Sequence, residues 1–365
     1  MWPLLRHYVV LSTIAALSIA TVSCGKPNPK SGQVGPIQNS AWTGRPGNLG
    51  EWGYVTDCLF GTLATTDPEK RLLVIWKWRD DSISEAGVLP LPKSTNILPV
   101  SGGLCGLSLY PGNDFSDWPY ALLDVANNRA IKQWSAPKGW TISHAGASLN
   151  GKFISLVATD GVDADGYKFE HDRARVAIID VDKPELRWVS NLDGHGAGTI
   201  REIAITDDGR HVAVAGWDNG TAMVDAKEGR VLWAKRPEGE VSTGYAAFAP
   251  DGKLIYTAGS EGCVYAIDVA TGNILGKRWA TSTGQSIYAH RISALAVSPD
   301  GKWLAAGTGP EGEVYIWNSE KQDKALVLNH GHGTILIVAF SPDSTKLASV
   351  GSGILKVWQL KGANQ

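Results

Sequence analysis

The stretch SALAVSPDGKWLAAGTGPEGEVYIW, from Ser293 to Trp317, decides the fold. It contains three short runs rich in β-forming residues, and turn segments separate them at Pro299 to Gly301 and at Gly309 to Gly312. This pattern predicts three antiparallel strands joined by tight turns. Such a sheet cannot bury both of its faces alone, so it needs neighbours of the same kind.

Related segments recur on both sides of this stretch. The glycines of the first turn, Gly209, Gly252 and Gly301, are 43 and 49 residues apart, and Ser344 follows 43 residues later. A period of roughly 40 to 50 residues with four strands per unit is typical of propeller blades. With the weaker upstream copies there are seven units, which begin at Tyr54, Leu104, Ile142, Ile200, Tyr245, Ser293 and His332. The sequence therefore predicts an all-β protein, a seven-bladed β-propeller of four-stranded antiparallel blades over residues 44–362.

The last predicted unit is short of one strand. Only seven residues follow Trp358, too few for a turn and an outer strand. We therefore expect the N-terminal side of the chain to supply the missing strand, with Val34 to Trp42 as the candidate. A ring closed in this way exposes no long sheet edges.

The first residues have the composition of an export signal. Arg6 and His7 precede an apolar run from Tyr8 to Ala20, too short to span a bilayer. Thr21-Val22-Ser23-Cys24 then resembles a bacterial lipobox, although leucine is usual where threonine stands. We expect residues 1–23 to be a lipoprotein signal peptide, Cys24 to be lipidated, and residues 24–43 to form a tether and the closing strand. Cleavage after Ala20, which would release a soluble protein, is the alternative.

Export would permit disulfides, but three cysteines remain after Cys24. Cys58 and Cys105 fall at similar places in the predicted first strands of adjacent units. They could form a bridge or remain two buried thiols. Cys263 is expected to be a strand residue without chemistry.

The turns and strand ends resemble WD40 repeats. The resemblance rests on Ser-Pro-Asp-Gly turns, on Trp134, Trp317 and Trp358 at strand ends, and on histidines before first strands. In that family a His, a Ser or Thr, an Asp and a Trp form a hydrogen-bonded set within one blade. The resemblance implies this structural role for the residues at the matching positions, His195 and Asp218 in the fourth unit and His332, Ser349 and Trp358 in the last. A metal role for the recurring histidines is therefore not expected.

Two segments are also similar to the repeats of quinoprotein propellers and of a lipoprotein of outer-membrane assembly. They are Met223 to Trp233 and Gly262 to Gly272. Quinoprotein sites are often marked by adjacent cysteines, and the sequence has none. We therefore expect no cofactor.

An acidic insertion follows the second strand of the third unit. It gathers carboxylates that could bind calcium, at Asp160, Asp163, Asp165 and Asp172. When Asp163, Asp165 and Gly166 take positions three, five and six of a calcium loop, the first position is Gly161, which offers no carboxylate. A solvated hairpin loop is the simpler interpretation, and no metal is expected.

Several tryptophans lie in or beside predicted loops, away from strand ends. Trp52, Trp118, Trp140 and Trp217 form a candidate partner-binding surface, with Trp279 as a further member. Packing between blades is the alternative for each of them.

The remaining composition narrows the class of protein. A net charge of −2 with scattered Lys and Arg argues against nucleic-acid binding. No Gly-x-Ser-x-Gly motif occurs, so no nucleophile is indicated. We expect a monomeric, non-catalytic scaffold, exported and anchored to a bacterial membrane through its N-terminal lipid, that binds other envelope proteins or peptides. The alternatives are a propeller enzyme of quinoprotein or lactonase type and a component of outer-membrane protein assembly.

Overall fold

A computed structural model describes residues 39–43, 52–55, 58–64, 70–79, 82–92, 95–99, 104–109, 119–124, 129–135, 140–160, 174–192, 200–216, 220–237, 243–280, 290–319, 325–331, 333–352 and 354–360. Side chains are described for Trp78 and for most of these residues from Lys132 onward. The regular structure in these ranges is β-strand, and no helix in them is long and apolar enough to cross a bilayer.

The described strands form seven four-stranded antiparallel sheets, numbered here by their order in the chain. The first strand, β1 (Asn39–Thr43), belongs to sheet 7. Sheet 1 contains β2 (Trp52–Val55), β3 (Cys58–Ala64), β4 (Lys70–Arg79) and β5 (Ser82–Pro92). Sheet 2 contains β6 (Thr95–Pro99), β7 (Leu104–Leu109), β8 (Pro119–Asp124) and β9 (Arg129–Ser135). Sheet 3 contains β10 (Trp140–Ala147), β11 (Phe153–Asp160), β12 (Ala174–Asp180) and β13 (Leu186–Asn191).

The later sheets repeat the same order. Sheet 4 contains β14 (Ile200–Ile205), β15 (His211–Gly216), β16 (Gly220–Asp225) and β17 (Arg230–Lys235). Sheet 5 contains β18 (Thr243–Phe248), β19 (Leu254–Gly259), β20 (Cys263–Asp268) and β21 (Ile274–Trp279). Sheet 6 contains β22 (His290–Val297), β23 (Trp303–Pro310), β24 (Glu313–Asn318) and β25 (Leu326–Asn329). Sheet 7 contains β26 (Ile335–Phe340), β27 (Lys346–Gly351) and β28 (Ile354–Gln359), with β1 as its outermost strand.

The seven sheets form a closed ring. The first strand of each sheet contacts the first strand of the next sheet, and β26 of sheet 7 contacts β2 of sheet 1. These seven first strands are called the innermost strands below. This arrangement is that of a β-propeller, and the all-β propeller prediction is confirmed.

Sheet 7 is built from both ends of the described chain. β1 pairs antiparallel with β28, with Asn39 opposite Val357 and Thr43 opposite Ile354. The sequence places this strand at Val34 to Trp42, so the observed strand begins five residues later.

The apolar core lies between neighbouring sheets. One cluster joins Val157 and Val176 of sheet 3 to Ile203 and Val212 of sheet 4. Corresponding clusters connect sheets 4 and 5, sheets 5 and 6, and sheets 6 and 7. Sheets 3 to 6 therefore each bury two faces against two neighbours, as the repeat pattern requires.

The turn between the first two strands has the same internal bonding in sheets 3, 4, 6 and 7. A Ser or Thr hydroxyl donates to the side-chain oxygen two residues later, at 2.5 to 2.8 Å, in the pairs Ser148–Asn150, Thr206–Asp208, Ser298–Asp300 and Ser341–Asp343. Neighbouring turns are also linked, because the Asp300 N–H donates to the Ser344 hydroxyl at 3.0 Å. Ser344 has a φ of 59°, where the earlier repeats have glycine. This backbone conformation favours glycine, and the hydrogen bond to the Ser344 hydroxyl explains why serine occurs there.

The outermost strands hold the following sheet through backbone carbonyls. In each case a side-chain N–H of the outermost strand donates to the backbone carbonyl of the residue directly after the third strand of the next sheet. The pairs are Arg187 to Ala226 at 3.1 Å, Trp233 to Val269 at 2.8 Å and Arg278 to Ser319 at 2.7 Å. Neighbouring sheets are thus joined at their outer strands as well as at their innermost ones.

The predicted second unit is displaced by one strand. Leu104 begins β7, the second strand of sheet 2, because β6 precedes it. Trp134 consequently lies in the outermost strand, β9, and does not mark the end of a third strand. Cys58 and Cys105 lie in second strands, not first strands. Their side chains are outside the described residues, so the pairing prediction stays a prediction.

Candidate functional site

Sheet 7 contains a buried hydrogen-bonded set of His330, Ser349 and Trp358. The Trp358 Nε1–H donates to the Ser349 hydroxyl at 2.8 Å, and that hydroxyl lies 2.7 Å from His330 Nδ1. His330 Nε2 lies 3.2 Å from the Gly351 carbonyl, which can only accept. Nε2 must therefore carry the proton, and the Ser349 hydroxyl donates to Nδ1. Burial lowers the pKa of His330, which favours this neutral form.

The histidine of this set differs from the one that the sequence predicts. His332 lies outside the described residues, and the histidine bonded to Ser349 is His330. His195 and Asp218, assigned to the same kind of set in the fourth unit, also lie outside the described residues.

Other sheets retain only parts of the set. Thr257 in β19 is the counterpart of Ser349, and its hydroxyl is buried without a hydrogen-bond partner in the described part of the chain. Sheet 6 keeps Trp317 but has Ala306 where the hydroxyl would be. These residues are structural and do not form a binding surface.

The predicted tryptophan surface is not assembled in the described residues. Trp140, the first residue of β10, is 7% exposed and packs in one cluster with Trp134. The Arg175 guanidinium lies 4.3 Å from the centre of its ring. Trp140 is therefore buried, contrary to its predicted role as a surface residue. Trp118 and Trp217 lie outside the described residues, and only the backbone is described for Trp52 and Trp279.

The predicted calcium and lipidation residues give no site that can be described. Asp160 ends β11, and its side chain is outside the described residues. The same is true of the whole residues Cys24, Asp163, Asp165 and Asp172. Within the described ranges no group of three or more His, Cys, Asp or Glu is arranged to hold a metal ion.

The innermost strands of sheets 3 to 7 share a feature that the sequence did not predict. Each has a β-bulge, an extra residue that shifts its pairing with the second strand. The extra residues are Ser143, Arg201, Gly244, Ser293 and Leu336. Bulges bend a strand and redirect a side chain, and they are common beside functional sites.

Polar side chains gather around three of these bulges. The residues that follow the bulge in sheets 3, 4 and 5 are His144, Glu202 and Tyr245. Arg201 is itself a bulge residue, and Arg291 lies two residues before the bulge of sheet 6. These five residues are called the inner-strand cluster. Consecutive innermost strands carry them, so they lie on neighbouring parts of the ring.

Glu202 is the most perturbed group of the inner-strand cluster. Burial raises the pKa of Glu202 to about 8, although the Ala246 N–H donates to its Oε2 at 3.4 Å and acts in the opposite direction. A carboxyl group with such a pKa is largely protonated at neutral pH. Strongly shifted pKa values are typical of functional sites as well as of structural networks.

The other members of the cluster influence one another electrostatically. Burial raises the pKa of Tyr245, and Glu202 raises it further, whereas Arg291 and Arg201 lower it. The pKa of Arg201 is lowered, mainly because its side chain is partly removed from water. Tyr245 acts in the opposite direction, and the like charge of Arg291 lowers this pKa further. Arg291 thus acts electrostatically on Arg201, and the strand that carries Tyr245 lies between their two strands.

No sequence motif identifies this cluster. Arg201, Glu202, Tyr245 and Arg291 occupy strands that look like ordinary repeats. A signal is present only after the innermost strands are aligned at their bulges, because the position after the bulge is then polar in three neighbouring sheets.

Comparisons with known proteins agree with this architecture. A family model described as outer membrane protein assembly factor BamB matches residues 128–323, more than half of the chain. The chain belongs to this family of propeller repeats. A second model, described as WD domain, G-beta repeat, matches residues 324–359, which include most of sheet 7.

Individual relatives match this chain over only part of its length and part of their own. An uncharacterised WD repeat-containing protein of Synechocystis is 27% identical over 45% of this chain and 44% of its own length. A WD repeat-containing protein of Schistosoma mansoni is 32% identical over 45% of this chain and 51% of its own length. The chain therefore spans about half the length of these curated relatives.

A solved structure extends the likeness to nearly the whole chain. A chain of a mitotic checkpoint complex superposes with a TM-score of 0.65 over 96% of this chain and 99% of its own, at 18% identity. At this identity the likeness shows the fold alone.

Proposed function

We propose that this chain is a non-catalytic scaffold of the bacterial envelope that binds another protein through the inner-strand cluster. The observation that carries the proposal is the placement of Arg201, Tyr245 and Arg291 on three consecutive innermost strands. Arg and Tyr are the residue types most enriched where protein interfaces gain their binding energy. The ring fixes the spacing of these side chains, so little order has to be gained on binding.

The envelope location is part of the proposal. The apolar run from Tyr8 to Ala20 and the following Cys24 support export and lipidation. In this interpretation the lipidated protein is a monomer tethered to a bacterial membrane, and its partners are other envelope proteins or peptides. Radiolabelled palmitate should label the full-length chain and not its Cys24→Ala variant, and equal labelling would contradict the anchor.

Affinity capture tests the binding role. The tagged full-length chain would be captured from detergent-solubilised membranes, and its companions identified by mass spectrometry. We expect a reproducible envelope protein whose recovery falls severalfold in the Tyr245→Ala variant. An exposed substitution on an outermost strand, Arg230→Gln, is the matched control and should leave recovery unchanged. Recovery that is the same in all three samples would contradict the proposed site.

A second candidate is a propeller enzyme of quinoprotein or lactonase type. The raised pKa of Glu202 favours it, because a carboxyl group that titrates near neutral pH can act as a general acid or base. Stoichiometric metal or quinone in the purified protein would support this candidate and contradict a non-catalytic role.

The matched family description also supports a third candidate, a part in outer-membrane protein assembly. Depletion of this protein should then lower the amount of folded β-barrel proteins in the outer membrane. If the amount of folded β-barrel proteins did not change after depletion, the assembly role would be contradicted and the general scaffold role would not.

A further inference from the structure

We propose that the outer rim of the ring, between sheets 5 and 6, binds one aromatic side chain of a partner protein. The site lies on β21 and β25 and is called the rim notch below; its residues are Leu275, Gly276, Arg278 and Val327. The inner-strand cluster lies on innermost strands, so the rim notch is a second site that goes beyond the proposed function.

The matching place between sheets 4 and 5 is filled by the side chain of Trp233. Its Nε1–H donates to the Val269 carbonyl of sheet 5 at 2.8 Å, and only 7% of the residue is exposed. The indole ring lies over Gly272, where an added Cβ would be 2.8 Å from ring atoms. The chain itself therefore shows that an indole fits between the outer strands of neighbouring sheets.

In sheet 5 the position of Trp233 is occupied by Gly276. Trp233 pairs with Met223 of β16, and Gly276 pairs with Ala266 at the same place of β20. Among the described residues, the one atom within 4 Å of an added Cβ at Gly276 is the Ala266 methyl carbon, at 4.0 Å. Sheet 5 thus presents two small residues where sheet 4 presents two large ones.

The facing side of sheet 6 replaces only part of the missing volume. Trp317 stands where sheet 5 has Ile267, and its ring stacks with that of Tyr315 at a centroid distance of 6.0 Å. Both rings are buried in the cluster between sheets 5 and 6. Val327, which pairs with Tyr315, is nevertheless 45% exposed. Apolar surface therefore remains uncovered on the sheet 6 side of the rim notch.

The sheet 5 side of the rim notch is exposed as well. Leu275 is the bulge residue of β21 and is 60% exposed. Its counterpart Leu232, the bulge residue of β17, is half-buried against the cluster between sheets 4 and 5. The same residue type at the same place is packed at one junction and uncovered at the next. Residues 320–324, between β24 and β25, lie outside the described residues and are not part of the site.

Arg278 adds a positive charge to the rim notch. Its Nη2–H donates to the Ser319 carbonyl, the counterpart of the Val269 carbonyl, at 2.7 Å. Within the described part of the chain no carboxylate pairs with this guanidinium group. A carbonyl oxygen accepts two hydrogen bonds, so an indole N–H can also donate to Ser319. A carboxylate beside the bound ring would pair with Arg278. The expected ligand is therefore an extended protein segment with an acidic residue next to an aromatic one.

Ligand-observed NMR with the full-length protein tests this proposal. It detects dissociation constants on the order of 0.1 to 1 mM, which suit a ligand anchored by one side chain. The probe is a synthetic peptide with glutamate on both sides of a single tryptophan, and we expect it to bind. Two matched peptides should bind severalfold more weakly. One has alanine in place of tryptophan, and the other has lysine in place of both glutamates.

Substitutions in the rim notch locate the binding site. Gly276→Trp should abolish binding, because the chain's own indole would then fill the notch as Trp233 fills its counterpart, and the φ of Gly276 is not positive. Leu275→Ser should weaken binding severalfold, because apolar contact is lost. Ile274→Ser is the matched control and should change nothing, since Ile274 is 48% exposed but pairs with Ile267, which packs toward sheet 4. Thermal unfolding of each variant would show that it is folded.

A further variant tests the charge. Arg278→Gln should remove the difference between the glutamate and lysine peptides and keep the preference for tryptophan over alanine. Tyr245→Ala, in the inner-strand cluster, should bind the peptide like the wild type. Failure of the proposed function, seen as unchanged protein capture with Tyr245→Ala, is therefore distinguishable from failure of the rim notch.

Several results would overturn the proposal. Equal binding of the alanine peptide, or wild-type binding by both Gly276→Trp and Leu275→Ser, would exclude an aromatic ligand at this place. A dimer in sedimentation velocity that Gly276→Trp abolishes would show that a second copy of the chain fills the notch. Flotation of the Cys24→Ala chain with phosphatidylglycerol vesicles that is lost in Leu275→Ser would show that lipid covers it.

Discussion

At the scale of single residues, the carboxyl group of Glu202 links stability to pH. Its pKa in the folded protein is about 8, against 4.5 in an unfolded chain. Between these values the folded protein binds a proton that the unfolded chain does not, so stability falls as pH rises through this window. Above about pH 8 the loss is complete and constant.

We expect Glu202→Gln to remove this loss, because the amide stays neutral at every pH. The free energy of unfolding of the variant should exceed that of the wild-type protein by on the order of 5 kcal/mol at pH 9 and by much less at pH 5. Urea unfolding at a series of pH values would measure the difference. Glu228→Gln, an exposed carboxyl on the turn before β17, should follow the wild-type curve. If the stability curves of Glu202→Gln and the wild type were parallel over this pH range, the pKa of Glu202 would not be raised in the folded protein.

Removal of two buried hydroxyl groups at equivalent positions should change the free energy of unfolding in opposite directions. Ser349→Ala leaves the His330 and Trp358 nitrogens without partners, which should cost about 2 to 4 kcal/mol of unfolding free energy. Thr257→Val removes a hydroxyl with no partner in the described residues and keeps the side-chain shape. It should be neutral or stabilising by about 1 kcal/mol. Calorimetric melting of both variants would decide, and similar losses in the two would contradict the bonding described for sheet 7.

The residues of the candidate site were the least predictable part of the molecule. Ser349 and Trp358 stand out because the last repeat keeps the hydroxyl and the indole at the places where WD40 repeats have them. His330 and His332 are only two residues apart, and loop length decides between them, which the repeat does not specify. Glu202 and Arg291 belong to no sequence motif. Which residues lie near them depends on which strands become neighbours in the ring.

At the scale of strands, close approach between innermost strands restricts the side chains that fit. Gly146 of β10 faces the backbone of β14, and a Cβ there would overlap the Ile203 carbonyl oxygen. Gly276 of β21 has room, since the nearest atom to an added Cβ is the Ala266 methyl carbon at 4.0 Å.

We therefore expect Gly146→Ala to destabilise the protein by about 2 to 3 kcal/mol, because sheets 3 and 4 must move apart. Gly276→Ala should be neutral or stabilising by about 0.5 kcal/mol, because glycine in a strand costs conformational entropy. Chemical unfolding measures both changes. If the two substitutions had equal effects, the loss would reflect glycine replacement in general and not contact between the sheets.

Prediction of strands succeeded where apolar runs alternate with turn residues. In sheet 6 the repeated first turn fixes the register, and the predicted runs Ala294 to Val297, Trp303 to Ala306 and Val314 to Trp317 fall within the longer observed strands. Sheet 2 failed because Tyr110 to Asp114 looks like a first turn, although Leu104–Leu109 is a second strand. β6 has the sequence TNILP, too short and too polar to be recognised as a strand without its neighbours.

At the scale of the whole molecule, β1 closes the ring. Without it, β28 would expose an unpaired edge, and sheet 7 would lose one of its four strands. The sequence predicts a closing strand on the N-terminal side, but the predicted start at Val34 is five residues early, although Gly35-Pro36 is a turn signal that favours a start after Pro36.

A chain that begins at residue 46 should therefore be several kcal/mol less stable than one that begins at residue 34, which keeps β1. The physical reason is the loss of the β1–β28 ladder and of the contacts that it protects. Urea unfolding midpoints would measure this effect, and a peptide spanning residues 36–46 should restore part of the loss. Equal midpoints for the two chains would contradict the role of β1 as a closing strand.

The pairing of Asn39–Thr43 with Ile354–Gln359 also orders events in time. A ribosome makes β1 before the other described strands and β28 after them, so β1 waits for its partner while all the strands between them are made. Local hairpins can form as they emerge, whereas this contact joins distant parts of the sequence and is slow to form. The ring therefore closes late, at the pairing of β1 with β28, and the nascent chain carries β1 unpaired until β28 has been made.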